Sequence, residues 1–368
     1  MAQQFHLNTP LLESVNMSKR AGTTVYLKME SSQPSGSFKI RGIGHLCQQL
    51  ARHSKGVVCS SGGNAGMAAA YAARKLGVPA TIVVPASTPQ LVVQRLKDEG
   101  ATVRIAGKVW DDANAEALRL AETEGLTVIP PFDHPLLWEG HASMIAEIAA
   151  SLGPGVKPGA VLLSVGGGGL FCGVVQGLRD AGWKDVPIIA METVGADCFN
   201  AAIRAGKLVT LDDITSEAKC LGAKTACKQA FDYSQCGELT IISEVVTDQQ
   251  ALQAVINFLD EERVLVEMAC GAALAAVYGG LIGRLQTEGR LPAPLGPLVV
   301  IVCGGSGVNT EQLTALKQKH YFFKVTHTHV LAICVHSRWL YGWNLAFCST
   351  HIKIKYTLLC QKPFWNLV

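Results

Sequence analysis

Residues 33–42 read QPSGSFKIRG, and the lysine among them stands where a solvated lysine gains nothing. Pro34 and Gly36 break the chain, and Ser37 is then placed to cap a helix running from Phe38 through Leu50. Lys39 falls in the first turn of that helix, where a positive charge opposes the macrodipole, and its neighbours Phe38 and Ile40 are apolar. A lowered amine pKa follows, which is what a Schiff-base lysine needs. The base-rate reading of any single lysine is still a charge in water, so Lys39 gains weight only from its context.

Three glycine clusters supply that context. Residues 62–66 in SSGGNAG, 166–169 in GGGGL and 304–307 in GGSG each follow a short apolar run. One cluster alone reads as a tight turn; three at strand ends favour a bound anion. A P-loop needs GxxxxGK[ST], which neither Gly107-Lys108 nor Gly206-Lys207 fits. A dinucleotide fingerprint is met at Gly166 and Gly168, but Phe171 replaces its third glycine. Glu192 does close the next strand, so a nicotinamide enzyme stays as the runner-up. The sequence holds no GxSxG elbow and no HExxH pair. GGGGL suits a monophosphate, because consecutive amides at a helix N-terminus converge on one anion with the dipole behind them. A phosphate cradle with an activated lysine implies pyridoxal phosphate.

The elements that must position these residues form a recurring pattern of apolar strand, glycine or proline turn, and Ala- or Leu-rich helix. Strands are expected over 56–60, 80–84, 160–165, 188–191 and 298–303, with a helix over 89–99. Alternation of this kind gives an α/β fold of doubly wound parallel sheets, and 368 residues suit two lobes. Hydrophobic residues at 49% exclude a disordered chain, and a net charge of +3 offers nucleic acid nothing to bind. The 37 glycines, about a tenth of the chain against the usual ~7%, should mark close backbone approaches. Residues 158–178 are uncharged but carry seven glycines and a proline, so they read as strand, turn and helix rather than a membrane span. With no signal-peptide pattern and twelve cysteines lacking any CxxC, free thiols in the cytoplasm are expected.

The composition changes near the end. From His320 to Val368 there are five basic residues, no acidic one, and three of the six tryptophans. His327 and His329 as a metal pair lack any carboxylate or CxxC support. Residues 320–368 are expected to be an atypical, poorly ordered tail.

Taken in order, PSGSFKIRG, SSGGNAG, GGGGL and the VCGG strand end resemble the L-serine dehydratase / L-threonine deaminase family, and in particular its serine dehydratase-like branch. These are fold-type II pyridoxal-phosphate enzymes related to the tryptophan synthase β-chain. The resemblance covers about residues 5–318 and stops at the tail. It implies a small substrate-loop domain at 40–138 and a large cofactor domain from 1–39 and 139–319. By resemblance Lys39 forms the internal aldimine and then acts as general base, and Phe38 lies against the cofactor ring. Gly166, Gly167, Gly168, Gly169 and Leu170 hold the phosphate. Ser61, Gly62, Asn64 and Ala65 bind the substrate carboxylate, with Asn64 also reaching the ring hydroxyl. Cys303 faces the pyridine nitrogen, where a neutral thiol favours elimination over transamination. Glu192, with the carbonyls of Ala196 and Leu221, matches a monovalent-cation site for K⁺; a surface carboxylate at a strand end is the plainer reading of Glu192.

The implied reaction takes L-serine to pyruvate and L-threonine to 2-oxobutanoate, releasing ammonia, in a homodimer with a catabolic role. Two alternatives stay open. One is a cofactor-binding relative with weak or no activity, suggested by the tail and by Gly62, where the family often has Ala. The other is racemase-type chemistry with Ser61 as a second acid–base group.

Overall fold

The structure, a computed structural model, describes residues 4–322. The chain enters through β1 (Leu11–Glu13), α1 (Val15–Ala21) and β2 (Val25–Lys28), then runs into α2 (Lys39–Leu50). Strand and helix alternate next: β3 (Val57–Cys59), α3 (Asn64–Leu76), β4 (Ala80–Val84), α4 (Gln90–Asp98), β5 (Thr102–Ile105), α5 (Trp110–Glu124) and β6 (Thr127–Val128). These four strands pair in parallel in the order β5-β4-β3-β6. After α6 (Pro135–Leu152) come β7 (Ala160–Ser164), α7 (Gly169–Asp180), β8 (Ile188–Thr193), α8 (Cys198–Ala205) and α9 (Lys228–Gln235). They are followed by β9 (Ile241–Val246), α10 (Asp248–Glu262), α11 (Met268–Tyr278), α12 (Leu281–Thr287) and β10 (Leu298–Ile301).

The second sheet has the order β1-β2-β10-β7-β8-β9 and is parallel except for its β1–β2 edge. The expected α/β fold with two parallel sheets is what the chain forms. Every residue of β7, β8 and β10 is buried, as strands covered on both faces must be. Both sheets belong to one compact unit that ends at Asn309. Beyond it, α13 (Thr310–Lys317) is followed by a π-helical turn at Gln318–Phe322. The tail expected over 320–368 lies, from residue 323, outside the described residues.

Three expectations need adjusting. Ser37 does not cap α2: its backbone bridges to Gly304, its hydroxyl is buried without a partner, and Phe38 takes the cap position in helical geometry. β8 runs two residues further than its apolar run, so Glu192 lies inside the strand. Cys303 lies two residues past β10 rather than in it. Residues 158–178 are indeed strand, turn and helix, and no single described helix is long and apolar enough to cross a bilayer.

Helix α2 is held by an ionic cluster. Arg41, fully buried, bonds both oxygens of Glu30 at 2.7 and 2.8 Å and both oxygens of Glu147 at 2.7 and 2.6 Å. Lys28, also fully buried, meets Glu147 at 2.6 Å, and Thr9 donates to Glu30 at 2.5 Å. Two charges of each sign thus neutralise one another, which is the condition for burying them. Where α2 crosses α6, a Cβ on Gly42 would come 2.6 Å from Leu137 O, and one on Gly140 would come 2.5 Å from Arg41 O. The two backbones touch, and the helix that begins with Lys39 has little freedom to shift.

Candidate active site

Lys39 is the first residue of α2, and its position is fixed by the strand end beside it. Phe38 N–H donates to Cys303 O at 3.3 Å, and Gly305 N–H donates to Gly36 O at 2.9 Å. The Lys39 amine is partly buried and donates to Pro131 O. Burial pushes its pKa down to about 8; the neighbouring Cys220, Cys59 and Cys303 oppose that only in part. The direction matches the sequence expectation, with burial as the largest cause. The Phe38 ring centre is 5.3 Å from Lys39 Nζ and 5.0 Å from the His141 ring. His141 is held far below its usual pKa, first by burial and then by the charges of Lys39, Arg41 and His6. It is therefore a neutral wall of the site.

The GGGGL run lies between β7 and α7, and each of its glycines is demanded by a neighbour. A Cβ on Gly167 would overlap the Phe132 ring, one on Gly169 would come 2.6 Å from Phe132 O, and one on Gly166 would come 3.0 Å from Leu221 Cα. Gly168 caps α7 at φ +93°, where an added Cβ would also press on Ala230. The first-turn amides at Gly169, Leu170 and Phe171 have no carbonyl inside the helix to bond, so they are free for an anion. Pro131 and Phe132 join the two halves: Pro131 O receives the lysine, and Phe132 packs on the glycines. An amine that is neutral near pH 8 and a glycine cradle of free amides fit pyridoxal phosphate.

The SSGGNAG loop joins β3 to α3. Ser61 Oγ accepts from Gly63 N–H at 3.3 Å, and a Cβ on Gly66 would overlap Ser61 O, so the loop folds back on the helix start. Ala65 is buried beneath it. Gly62 is not in open space: a Cβ there would lie 3.2 Å from Thr88 Cγ2 and Val84 Cγ1. Asn64 is pinned by Ser306, whose N–H and hydroxyl meet Asn64 Oδ1 at 2.8 and 2.9 Å.

The third glycine cluster departs from expectation. Residues 304–307 do not cradle a foreign anion, because the anion there is the chain's own Glu267. Gly307 N–H donates to Glu267 Oε1 at 2.5 Å, and a Cβ on Gly305 would overlap that carboxyl group. Nearby, the Cys303 thiol bonds to Cys270 and is pushed well above its ordinary pKa by that bond and by burial. It stays a neutral thiol, as the sequence reading required of it.

Glu192 is fully buried, which overturns the surface-carboxylate reading. Its oxygens accept from Phe199 N–H at 2.9 Å and Asn200 N–H at 2.6 Å, at the start of α8. Burial pushes it up to about 8, although those two amides pull the other way. Ala196 turns back onto Thr193 of β8, and Leu221 lies against Gly166. Among the described residues no group of three His, Cys, Asp or Glu side chains could hold a metal ion.

Sequence reasoning missed Pro131, Phe132, His141, Cys220 and Glu267. The Pro130-Pro131 pair was a turn signal after a strand, and Glu267 stood just before an apolar helix, but neither marks chemistry by itself.

Residues 2–304 match the family model described as pyridoxal-phosphate dependent enzyme. A human serine dehydratase-like protein is 61% identical over 316 residues, covering 86% of this chain and 95% of that one. Human L-serine dehydratase/L-threonine deaminase is 59% identical over 319 residues, covering 86% and 96%. Among solved structures, a fungal L-serine ammonia-lyase from Rhizomucor miehei superposes with a TM-score of 0.80 at 37% identity, covering 86% of this chain and all of that one.

Proposed function

The chain belongs to the pyridoxal-phosphate dependent enzymes, and from that premise we propose that it is an L-serine/L-threonine ammonia-lyase. It would convert L-serine to pyruvate and L-threonine to 2-oxobutanoate with loss of ammonia. The observation that carries this reading is the partly buried Lys39 amine, with a pKa of about 8, joined through Pro131 and Phe132 to the Gly166–Gly169 cradle. The names of the relatives at 59–61% identity support the substrate class.

Pyridoxal phosphate, when bound, supplies the electron sink for the pair left at the substrate Cα. The chain supplies the rest. Lys39 Nζ would be the amine that holds the cofactor and, when free, the base that takes the α-proton. With a pKa of about 8 it is unprotonated in a useful fraction at neutral pH and still basic enough to act. The amides of Gly169 and Leu170 would hold the phosphate, and the Ser61–Ala65 loop at the start of α3 would offer donors to the substrate carboxylate. Phe38 would lie against the ring, and Cys303, a neutral thiol, would bring no charge to it.

Purified protein with the cofactor and L-serine should form pyruvate and ammonia in equal amounts. D-serine without pyruvate would point to racemase chemistry through Ser61, and no product at all would leave a cofactor-binding relative.

Two further results are expected. Capture of pyridoxal phosphate by the apoprotein needs neutral Lys39, so its rate should rise with pH and level off, with a midpoint at about 8. A midpoint near that of free lysine would contradict the burial of the amine. Gly62→Ala should raise kcat/KM about two- to threefold, because the methyl packs on Val84 and Thr88 and lowers the entropy lost on ordering the loop. Thr88 is half-exposed in a loop and free to give by the few tenths of an ångström required; Val84 is fully buried at the end of β4, so the loop itself must move off it by the same amount for the gain to appear. An unchanged kcat/KM would remove Gly62 as a cause of weak activity.

We also propose K⁺ beside Glu192 with the carbonyls of Ala196 and Leu221, since hard oxygen ligands suit it. Activity with K⁺ should then exceed activity with a bulky tetraalkylammonium ion. Residues 40–138 are proposed as the substrate-loop domain, because β3, β4, β5 and β6 all fall within them.

A further inference from the structure

Glu267 has no part in the reaction as described, yet its contacts all lie in the site. It is 6% exposed, Oε1 accepts from Gly307 N–H at 2.5 Å, and Oε2 accepts from Asn64 Nδ2 at 3.0 Å. The Cys220 thiol bonds the same carboxylate. Glu267 occupies the cap position of α11, but its side chain makes no cap bond to that helix. Gly305 and Gly307 are the residues whose missing side chains make room for it: a Cβ on Gly307 would sit 2.9 Å from Oε1. A buried acid enclosed by glycines and aimed at one asparagine is doing something for that asparagine.

What it does follows from donor and acceptor chemistry. The Ser306 N–H can only donate, so it selects Asn64 Oδ1. The Glu267 oxygen beside Asn64 accepts, so it selects Nδ2. The amide is fixed from both ends, and a flip would set carbonyl against carboxylate and N–H against N–H. The second N–H of Nδ2 faces only Cys220 Sγ at 3.6 Å, a weak contact that a better acceptor would displace.

We propose that Glu267 is a positioning residue for the cofactor: with Ser306 it holds Asn64 so that an N–H, never the carbonyl, is offered to the cofactor's ring oxygen. The inference rests on the proposed pyridoxal-phosphate site and deepens it. An N–H donated to the ring oxygen stabilises that oxygen's ionised form, whereas a flipped amide would repel it. The same contacts tie the substrate loop to the strand end that carries Cys303.

The test compares wild type, Glu267→Gln, Asn64→Ala and the double variant, each loaded with pyridoxal phosphate, by visible absorption across pH. The readout is the ratio of the ring-oxygen-ionised band to the ring-oxygen-protonated band. A glutamine has one acceptor oxygen for the three donors that meet Glu267, so Glu267→Gln should shift that ratio towards the protonated form by about tenfold. Asn64→Ala should shift it the same way, and the double variant no further than Asn64→Ala alone. A wild-type ratio in Glu267→Gln, or shifts that add in the double variant, would overturn the proposal. If Glu267→Gln does not fold, Glu267→Asp decides: the shorter side chain draws its carboxylate back from Asn64 Nδ2, so a shift of about threefold in the same direction is expected, and none would overturn the proposal. A wild type that shows no visible band with the cofactor would instead defeat the functional reading itself.

Discussion

Replacing Lys39 with alanine should lower pyruvate formation from L-serine by at least about 10⁴-fold while the protein still folds. General-base catalysis alone contributes about 10²–10⁴, and Lys39 also provides the covalent anchor for the cofactor. The substitution is mild for the scaffold. Alanine is the best helix former at the start of α2, and the Phe38–Cys303 and Gly36–Gly305 backbone bonds do not involve the side chain. What the side chain gives up is its hydrogen bond to Pro131 O. Lys39→Arg should be as inactive as Lys39→Ala, since a guanidinium stays protonated and is no nucleophile. Circular dichroism would check the fold and a lactate dehydrogenase-coupled assay the rate. Activity within about tenfold of wild type would mean that another group carries the chemistry.

Arg41→Leu should be the most damaging single change to stability, at about 3–5 kcal/mol, because it strands buried carboxylates without a partner. Glu30 is fully buried and would keep only Thr9 and Gln33 as hydrogen-bond partners, while Glu147 would keep Lys28. Arg41→Lys keeps the charge but cannot reach both carboxylates in a fork, so a loss of about 1–3 kcal/mol is expected. Urea denaturation of the apoprotein reads both values. The pH dependence should change as well. Burial alone would raise Glu147, but its bonds to Arg41 and Lys28 outweigh that and hold its pKa below the usual carboxylate value. Such a group stabilises the fold above the ordinary carboxylate range and loses that contribution as pH falls through and below it. Wild type should therefore lose stability in acid more steeply than Arg41→Leu. Equal stability of the two proteins at pH 7 would show that the cluster adds nothing to the fold.

The sequence spoke most clearly where one residue type answers a single local demand. β7, β8 and β10 each open on an apolar run of four residues, and GGGGL admits no side chain because Phe132, Leu221 and Ala230 stand against it. Lys39 was legible because a positive charge at a helix start between two apolar residues is a local oddity. β1, β2, β5, β6 and β9 escaped notice: β1, β5 and β6 are short and poorly buried, so hydrophobicity hardly marked them, and β2 and β9 are not directly followed by a glycine or proline turn of the kind that marked the others. The pairing of β2 with β10 joins residues about 270 apart, and no local pattern encodes that.

The buried ions were hidden for a different reason. Lys28, Glu30, Arg41 and Glu147 each look like surface residues, and only their convergence makes burial tolerable. Glu267 was hidden behind its own glycines, since 304–307 read as a site for an outside anion. Burial of Glu192 was missed because the apolar run stops at Met191, whereas the strand continues to Thr193.

A covalent bond between the Lys39 amine and pyridoxal phosphate is the central expectation for this protein. Borohydride reduction of the loaded protein, followed by proteolysis and mass spectrometry, tests it most directly. The reduced cofactor should be found on the peptide containing Lys39 and nowhere else, and prior incubation with L-serine should release pyruvate and lower the yield. Label on a different lysine, or none on a protein that still forms pyruvate, would contradict the assignment.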